Sequence, residues 1–187
     1  NFQDAIKLLN ERGRAMQAAV PKGAGGMIAV LGVDIKEINN LLKDNKNNYK
    51  CYIANDNSNG QIVLSGKNKD LEKLSDFLKE KNIKNVKLAV SAPFHCNLMS
   101  KATEIMKIEI ENTNFKDFKN ILISNVTANE VLNKNDLKKL LIDQIENRVR
   151  WRESIIFMIE KGVQSFIEIG PGKVLSGLIK RIDKNVK

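Results

Sequence analysis

The feature that most constrains this chain is an alternation of short apolar runs between residues 27 and 90. Met27–Val33 reads as a strand, and Ile35, Ile38, Leu41 and Leu42 recur at helical spacing. Tyr49–Ala54 and Gln61–Ser65 read as two strands joined by turn formers, Asn55 to Gly60. Leu71, Leu74, Phe77 and Leu78 mark a second helix, and Val86–Val90 a last strand. The succession β-α-β-β-α-β is the ferredoxin-like pattern, and roughly 65 residues suffice for such a lobe. Residues 23–91 are therefore expected to form one subdomain, inserted between residues 1–22 and 92–187.

The flanking residues read as an α/β core. Phe2, Ala5, Ile6, Leu9, Gly13 and Met16 give residues 2–18 an amphipathic helical stripe. Pro21 to Gly26 reads as a hinge or linker; the glycines lack the strand-to-helix setting and the Gly-Lys-Ser/Thr of a phosphate loop. Leu98, Ala102, Ile105 and Met106 mark a helix. Ile121–Val126 reads as a strand. Asn135 is expected to cap a helix striped by Leu137, Leu140 and Leu141. An apolar segment follows at Ile155–Ile159, then a strand at Ser165–Ile169, Gly170-Pro171-Gly172, and a helix at Val174–Ile182. Strands alternating with helices predict a parallel sheet, whose ligands lie beyond the carboxyl ends of the strands. Asn125 and Gly170 would then lie near the cleft.

Three polar residues do not suit their positions. His95, the only histidine, lies where the small lobe ends and a helix begins. Its ordinary pKa suits proton transfer, and a helix N-terminus would keep the imidazole neutral. A surface or packing role is the plainer alternative. Arg12 points along the apolar stripe of the first helix. A guanidinium there needs an anion, which either an internal carboxylate or a substrate carboxylate could supply. Gln144 lies seven residues after Leu137 on the same face, so it is hydrogen-bonded or at the rim of a cavity.

Other residues read as bland. Cys96 adjoins His95, but immediate neighbours seldom face one another, and nothing nearby activates a thiol. Cys51 and Cys96 suggest neither a disulfide framework nor a zinc site. Arg148, Arg150 and Arg152 around Trp151 read as a solvated face. A net charge of +9 favours an acidic partner, but the lysines are scattered with few aromatics among them, which argues against nucleic acid. No run is long enough to span a bilayer and the N-terminus lacks a signal-peptide layout, so a cytoplasmic location is expected.

Taken in order, several segments resemble the malonyl-CoA:acyl carrier protein transacylase family. They are Glu11-Arg12-Gly13-Arg14-Ala15-Met16-Gln17; Asn57-Ser58 with Gln61-Ile62-Val63-Leu64-Ser65-Gly66; and Ala92-Pro93-Phe94-His95-Cys96 with Leu98-Met99. Ser124-Asn125-Val126, Val149-Arg150-Trp151 and Ile169-Gly170-Pro171-Gly172-Lys173-Val174-Leu175 complete the series. The resemblance implies a hydrolase-like α/β core with the ferredoxin-like lobe inserted. It implies malonyl transfer from malonyl-CoA to the phosphopantetheine thiol of acyl carrier protein, in fatty-acid biosynthesis, through a seryl ester. His95 would be the general base, held through the main-chain carbonyl of Gln144. Arg12 would bind the malonyl carboxylate, Phe94 would narrow the pocket, and Met16 and Asn55 would line or flank it. No resident cofactor is implied, only malonyl-CoA and the carrier-borne phosphopantetheine. A monomer with no membrane or nucleic-acid partner is expected.

Asn59 stands near a usual proline, and Arg148 where a proline often precedes Val-x-Trp. A larger departure is that the family's Gly-His-Ser-x-Gly elbow occurs nowhere in these 187 residues. The nucleophile is expected upstream, leaving this chain inactive alone. Ser91, four residues before His95 in a strand-like run, does not replace it. The alternative is a non-catalytic module that binds acyl carrier protein.

Overall fold

The computed structural model describes residues 1–187. Helix α1 spans Phe2–Ala18, with Asn1 accepting from the Asp4 N–H at its start. Then come β1 (Gly25–Leu31), α2 (Ile35–Asp44), β2 (Cys51–Ser58), β3 (Gln61–Lys67), α3 (Asn68–Glu80) and β4 (Lys84–Lys87). A 3-10 turn at Asn97–Met99 leads into α4 (Ser100–Asn112). Helices α5 (Lys134–Asp143), α6 (Trp151–Glu160) and α7 (Val174–Ile182) complete the chain.

The four strands form one antiparallel sheet in the order β2-β3-β1-β4. The inner strand β1 is buried on both faces, as its unbroken apolar run requires. Ile28 and Val30 pack with Leu64, Leu71, Leu74 and Leu78 beneath the helices. Met27 and Ala29 face the other way, toward Ala54, Val63 and the partly buried Phe94. A separate core joins α1 to α4 through Ala15, Met16, Met99, Ala102 and Met106, with Ile145 beyond α5. Phe94 packs against this core too, so the residue before His95 ties the sheet to the helices.

Several boundaries differ from those read in the sequence. Asn55 lies within β2, because the strand runs on to Ser58 and the chain reverses at Asn59-Gly60. β4 begins two residues earlier than expected, with Lys84 opposite Leu31 and Lys87 opposite Ile28. Gly25 and Gly26 open β1 rather than form a linker. A Cβ on Gly25 would come within 2.5 Å of the Pro93 ring, so glycine lets the histidine-bearing segment lie against the strand. Asn133, not Asn135, caps α5, accepting from the N–H groups of Asn135 and Asp136.

The expected parallel sheet is not formed. Ile121–Val126 makes only one isolated bridge, Ile123 to Glu130, beside a turn closed by Ser124 and Asn129. The backbone of Ser165–Ile169 is bonded only to the C-terminal residue, the Phe166 N–H donating to the Lys187 carbonyl, while the Glu168 side chain accepts from Leu175 and Ser176 at the start of α7. Apolar composition marks a segment that could join a sheet, but a strand exists only with a neighbour to complete its ladder. Ile121–Val126 finds only the short return at 129–131, and Ser165–Ile169 only the C-terminal residue. Ile121 (77 %), Ile167 (87 %) and Ile169 (94 %) are correspondingly exposed.

Candidate functional site

His95 lies in an irregular segment pinned on several sides. Pro93 is buried, the Cys96 thiol donates to the Pro93 carbonyl at 3.1 Å, and the Ser65 hydroxyl donates to the Phe94 carbonyl. His95 itself has φ 57°, in the left-handed region that side chains other than glycine rarely occupy. Holding it there costs on the order of 1–2 kcal/mol, which the surrounding contacts must offset.

The imidazole meets the end of α5. Gln144 follows the last helical residue, where the final carbonyls of a helix have no partner within it. Its carbonyl oxygen is 2.9 Å from His95 Nδ1. A carbonyl can only accept, so Nδ1 carries the proton and Nε2 presents a free lone pair. Ile145, fully buried, anchors this end of the helix.

The His95 pKa is lowered from 6.5. Burial is the largest cause, opposed by the Gln144 carbonyl, reinforced by the charge of Arg12, and opposed again by the Asn147 backbone. The ring is thus neutral near pH 7, by burial more than by the helix terminus expected to do it. Burial raises the Cys96 thiol to about 11 and Cys51 to about 12, so both remain protonated.

Arg12 lies in the middle of α1, half-buried, and makes no ion pair and no hydrogen bond. Burial lowers its pKa. The two carboxylates along the same groove are engaged elsewhere, Asp4 with the N-terminal amine and Asp117 with Lys134. Of the two anions the sequence left open for Arg12, the internal one is not provided.

Two clefts flank the end of α5, one lined by Ile142 and Asp143 and the other by Leu141 and Gln144. One, of about 730 Å³, has His95 in its wall, with Tyr52 and Ile53 of β2 on one side and Glu146 and Arg148 on the other. The other, of about 510 Å³, runs between α1, α4 and α5 and holds Arg12, Leu8, Met106 and Gln144. His95 and Arg12 do not share a cavity; the Gln144 backbone and the field of Arg12 connect them. Met16 is buried in the helical core and Asn55 is paired with Val63 in the sheet, and neither lines either of these two clefts. Phe94 lies between the two cores.

The arginine cluster is not a solvated face. Arg152 reaches Asp56, which is 1 % exposed, with Nε–Oδ1 at 3.0 Å and Nη2–Oδ2 at 2.8 Å. Arg148 and Arg150 both bind Glu153. Beside the Arg152 pair, Val149 donates to Ala54 at 2.8 Å and accepts from Asp56 at 2.9 Å. Charge pair and backbone bridge together join β2 to the start of α6, directly beyond the wall of the His95 cleft. The sequence marks Arg152 only as one of a solvated cluster, and gives Asp56 and Ser65 no role of their own. Asp56 and Arg152 are 96 positions apart, and no local signal relates them.

A fixed, neutral imidazole near an unpaired guanidinium is equipment for group transfer with a carboxylate to be held. The model of the acyl transferase domain matches residues 1–186, and the chain belongs to that family. It is 42 % identical to malonyl CoA-acyl carrier protein transacylase of Bacillus subtilis, over all of this chain and 60 % of that protein. The enzyme of that name from Haemophilus influenzae is 38 % identical, over 97 % of this chain and 59 % of its own. The crystal structure of malonyl CoA-acyl carrier protein transacylase from Clostridium perfringens superposes with a TM-score of 0.94 at 41 % identity, covering 100 % of this chain and 59 % of that one. A type II PKS acyl-carrier protein in complex with its malonyl-transacylase contains a chain with TM-score 0.93 and 35 % identity, covering 99 % of this chain and 60 % of that one. This chain therefore spans about three fifths of the length of the relatives it matches.

Proposed function

We propose that this chain carries the base and the carboxylate anchor of a malonyl-CoA:acyl carrier protein transacylase, with the nucleophilic serine on a segment outside these 187 residues. The observation that carries the reading is the pairing of a neutral His95, its Nδ1–H on the Gln144 carbonyl, with an Arg12 that has no carboxylate of its own.

Arg12 grips the free carboxylate of malonyl-CoA with its planar fork. The serine oxygen attacks the thioester carbonyl as its proton passes to His95 Nε2. The carbon–sulfur bond breaks, and the imidazolium returns that proton to the departing CoA sulfur. The thiol of the carrier protein's phosphopantetheine then gives its proton to Nε2 and attacks the malonyl ester. The serine oxygen leaves and regains a proton from His95, which restores the site. Phe94 limits the width of the acyl pocket, while Met16 and Asn55 support it from the core and the sheet. The work of this chain needs no resident cofactor.

The order β2-β3-β1-β4, with its β-α-β-β-α-β succession, supports a ferredoxin-like lobe over residues 23–91. Residues 1–22 and 92–187 then form part of a hydrolase-like core. The net charge of +9 suits an acidic carrier protein. No helix is long and apolar enough to cross a membrane, and the reading is of a cytoplasmic monomer in fatty-acid synthesis. The test uses this chain joined to a Gly-His-Ser-x-Gly segment and compares ester formation from malonyl-CoA and acetyl-CoA. Arg12→Ala is expected to suppress the first and spare the second; equal losses would refute the anchor.

A further inference from the structure

We propose that Ser65 is a positioning residue for His95: its buried hydroxyl holds the Phe94 carbonyl, and that hold keeps the imidazole on Gln144. The proposal rests on the reading of His95 as the base. Ser65 lies on β3, which is paired on both sides, with β1 and with β2. It is fully buried at 0 % exposure, so its position is set by the sheet rather than by solvent. Its hydroxyl donates to the Phe94 oxygen across 29 positions of sequence.

That oxygen belongs to the peptide bond that enters His95. The orientation of this peptide plane fixes the His95 φ of 57°, which a side-chain-bearing residue leaves when nothing holds it. The other contacts in the segment act elsewhere. The Cys96 thiol bonds the Pro93 carbonyl, and the space left by Gly25 admits the Pro93 ring. Only the Ser65 hydroxyl holds the peptide that sets the ring's direction. From that direction Nδ1 reaches Gln144 O at 2.9 Å, and the tautomer follows because the carbonyl can only accept. A rigid inner strand thus orients the base through one hydroxyl and one carbonyl. With the hydroxyl removed, the Phe94 carbonyl is free to turn, His95 relaxes toward negative φ, and the ring leaves Gln144. A neutral imidazole without that partner prefers its proton on Nε2, the wrong nitrogen for a base facing the cleft.

The test reads the tautomer of this chain's single imidazole by ¹⁵N NMR, at a pH above its titration. The unsubstituted chain is expected to show the proton on Nδ1. In Ser65→Ala, folded by its amide spectrum, most of the signal is expected to move to the Nε2–H form. A folded Ser65→Ala with the original tautomer would overturn the proposal. Ser65→Cys covers the case in which the alanine variant does not fold. Its weak thiol donor is expected to give a mixture of tautomers, and the original ratio there would equally overturn the proposal. A merely structural Ser65 would change stability and leave the tautomer as it was. Since the readout needs no turnover, its failure is distinct from failure of His95 as the base, which a completed enzyme carrying His95→Ala would report.

Discussion

Two arginines, Arg152 against β2 and Arg12 on α1, show what a desolvated charge can be for. Arg152 meets a carboxylate with 1 % exposure and grips it with two nitrogens. Its pKa is raised, first by that hydrogen bond. Arg12 is also withdrawn from water, yet it meets no anion, and burial lowers its pKa. The first charge is spent inside the fold, on joining β2 to α6. The second is left over, and a fold keeps an unpaired desolvated cation at a net cost. Proteins that do so commonly have an external anion to bind.

The largest expected effect breaks the paired side. Asp56→Ala leaves Arg152 without its carboxylate, and urea unfolding should show a loss of about 3–5 kcal/mol. Replacing both partners, Asp56→Leu with Arg152→Met, should cost clearly less than the two single changes summed. Strict additivity would show that the pair is not coupled.

Breaking the unpaired side should be felt in function. In the chain joined to its nucleophile segment, Arg12→Ala should slow malonyl loading by about 10²-fold, the loss of one or two charge-assisted hydrogen bonds. Acetyl loading, which offers no carboxylate, should change little.

A smaller effect belongs to the neighbour of Arg12. His95 has a folded pKa below its unfolded 6.5, so between those values the unfolded chain binds more protons. Its contribution to stability is whole above pH 6.5 and is lost as pH falls through the window toward the folded value. The slope for this one group cannot exceed about 1.4 kcal/mol per pH unit. His95→Gln should flatten this part of the stability–pH curve, seen by denaturant titration at several pH values. The smallest effect is the sharpest contrast with Asp56. Arg12→Met should shift stability by only about 0.5 kcal/mol, or raise it, because no internal partner is orphaned.

How much of this was legible depends on whether the signal was local. The small sheet was readable because period-2 and period-3.6 patterns alternate within a short span, and each element finds its partner nearby. Helices α1 and α7 were read to the residue. The expected strands at Ile121–Val126 and Ser165–Ile169 carried equally apolar sequences, but a ladder needs a second strand and none is there. Arg12, His95 and Gln144 stood out because each is polar on an apolar face or unique in the chain. Asp56 and Arg152 did not, since each looks like an ordinary surface charge until the fold closes 96 positions of chain between them. Ser65 was hidden for the same reason: a serine in a strand reveals its acceptor only in three dimensions.

The central claim is that this chain offers a neutral imidazole within the field of an arginine reserved for a substrate carboxylate. One histidine gives one titrating ring, so proton NMR can follow His95 against pH, with and without malonate. The account predicts a midpoint below 6.5 that rises when malonate is added, because an anion on Arg12 offsets the charge that helps to depress it. It also predicts that the rise is absent in Arg12→Ala. A midpoint at or above 6.5, or one indifferent to malonate, would contradict it.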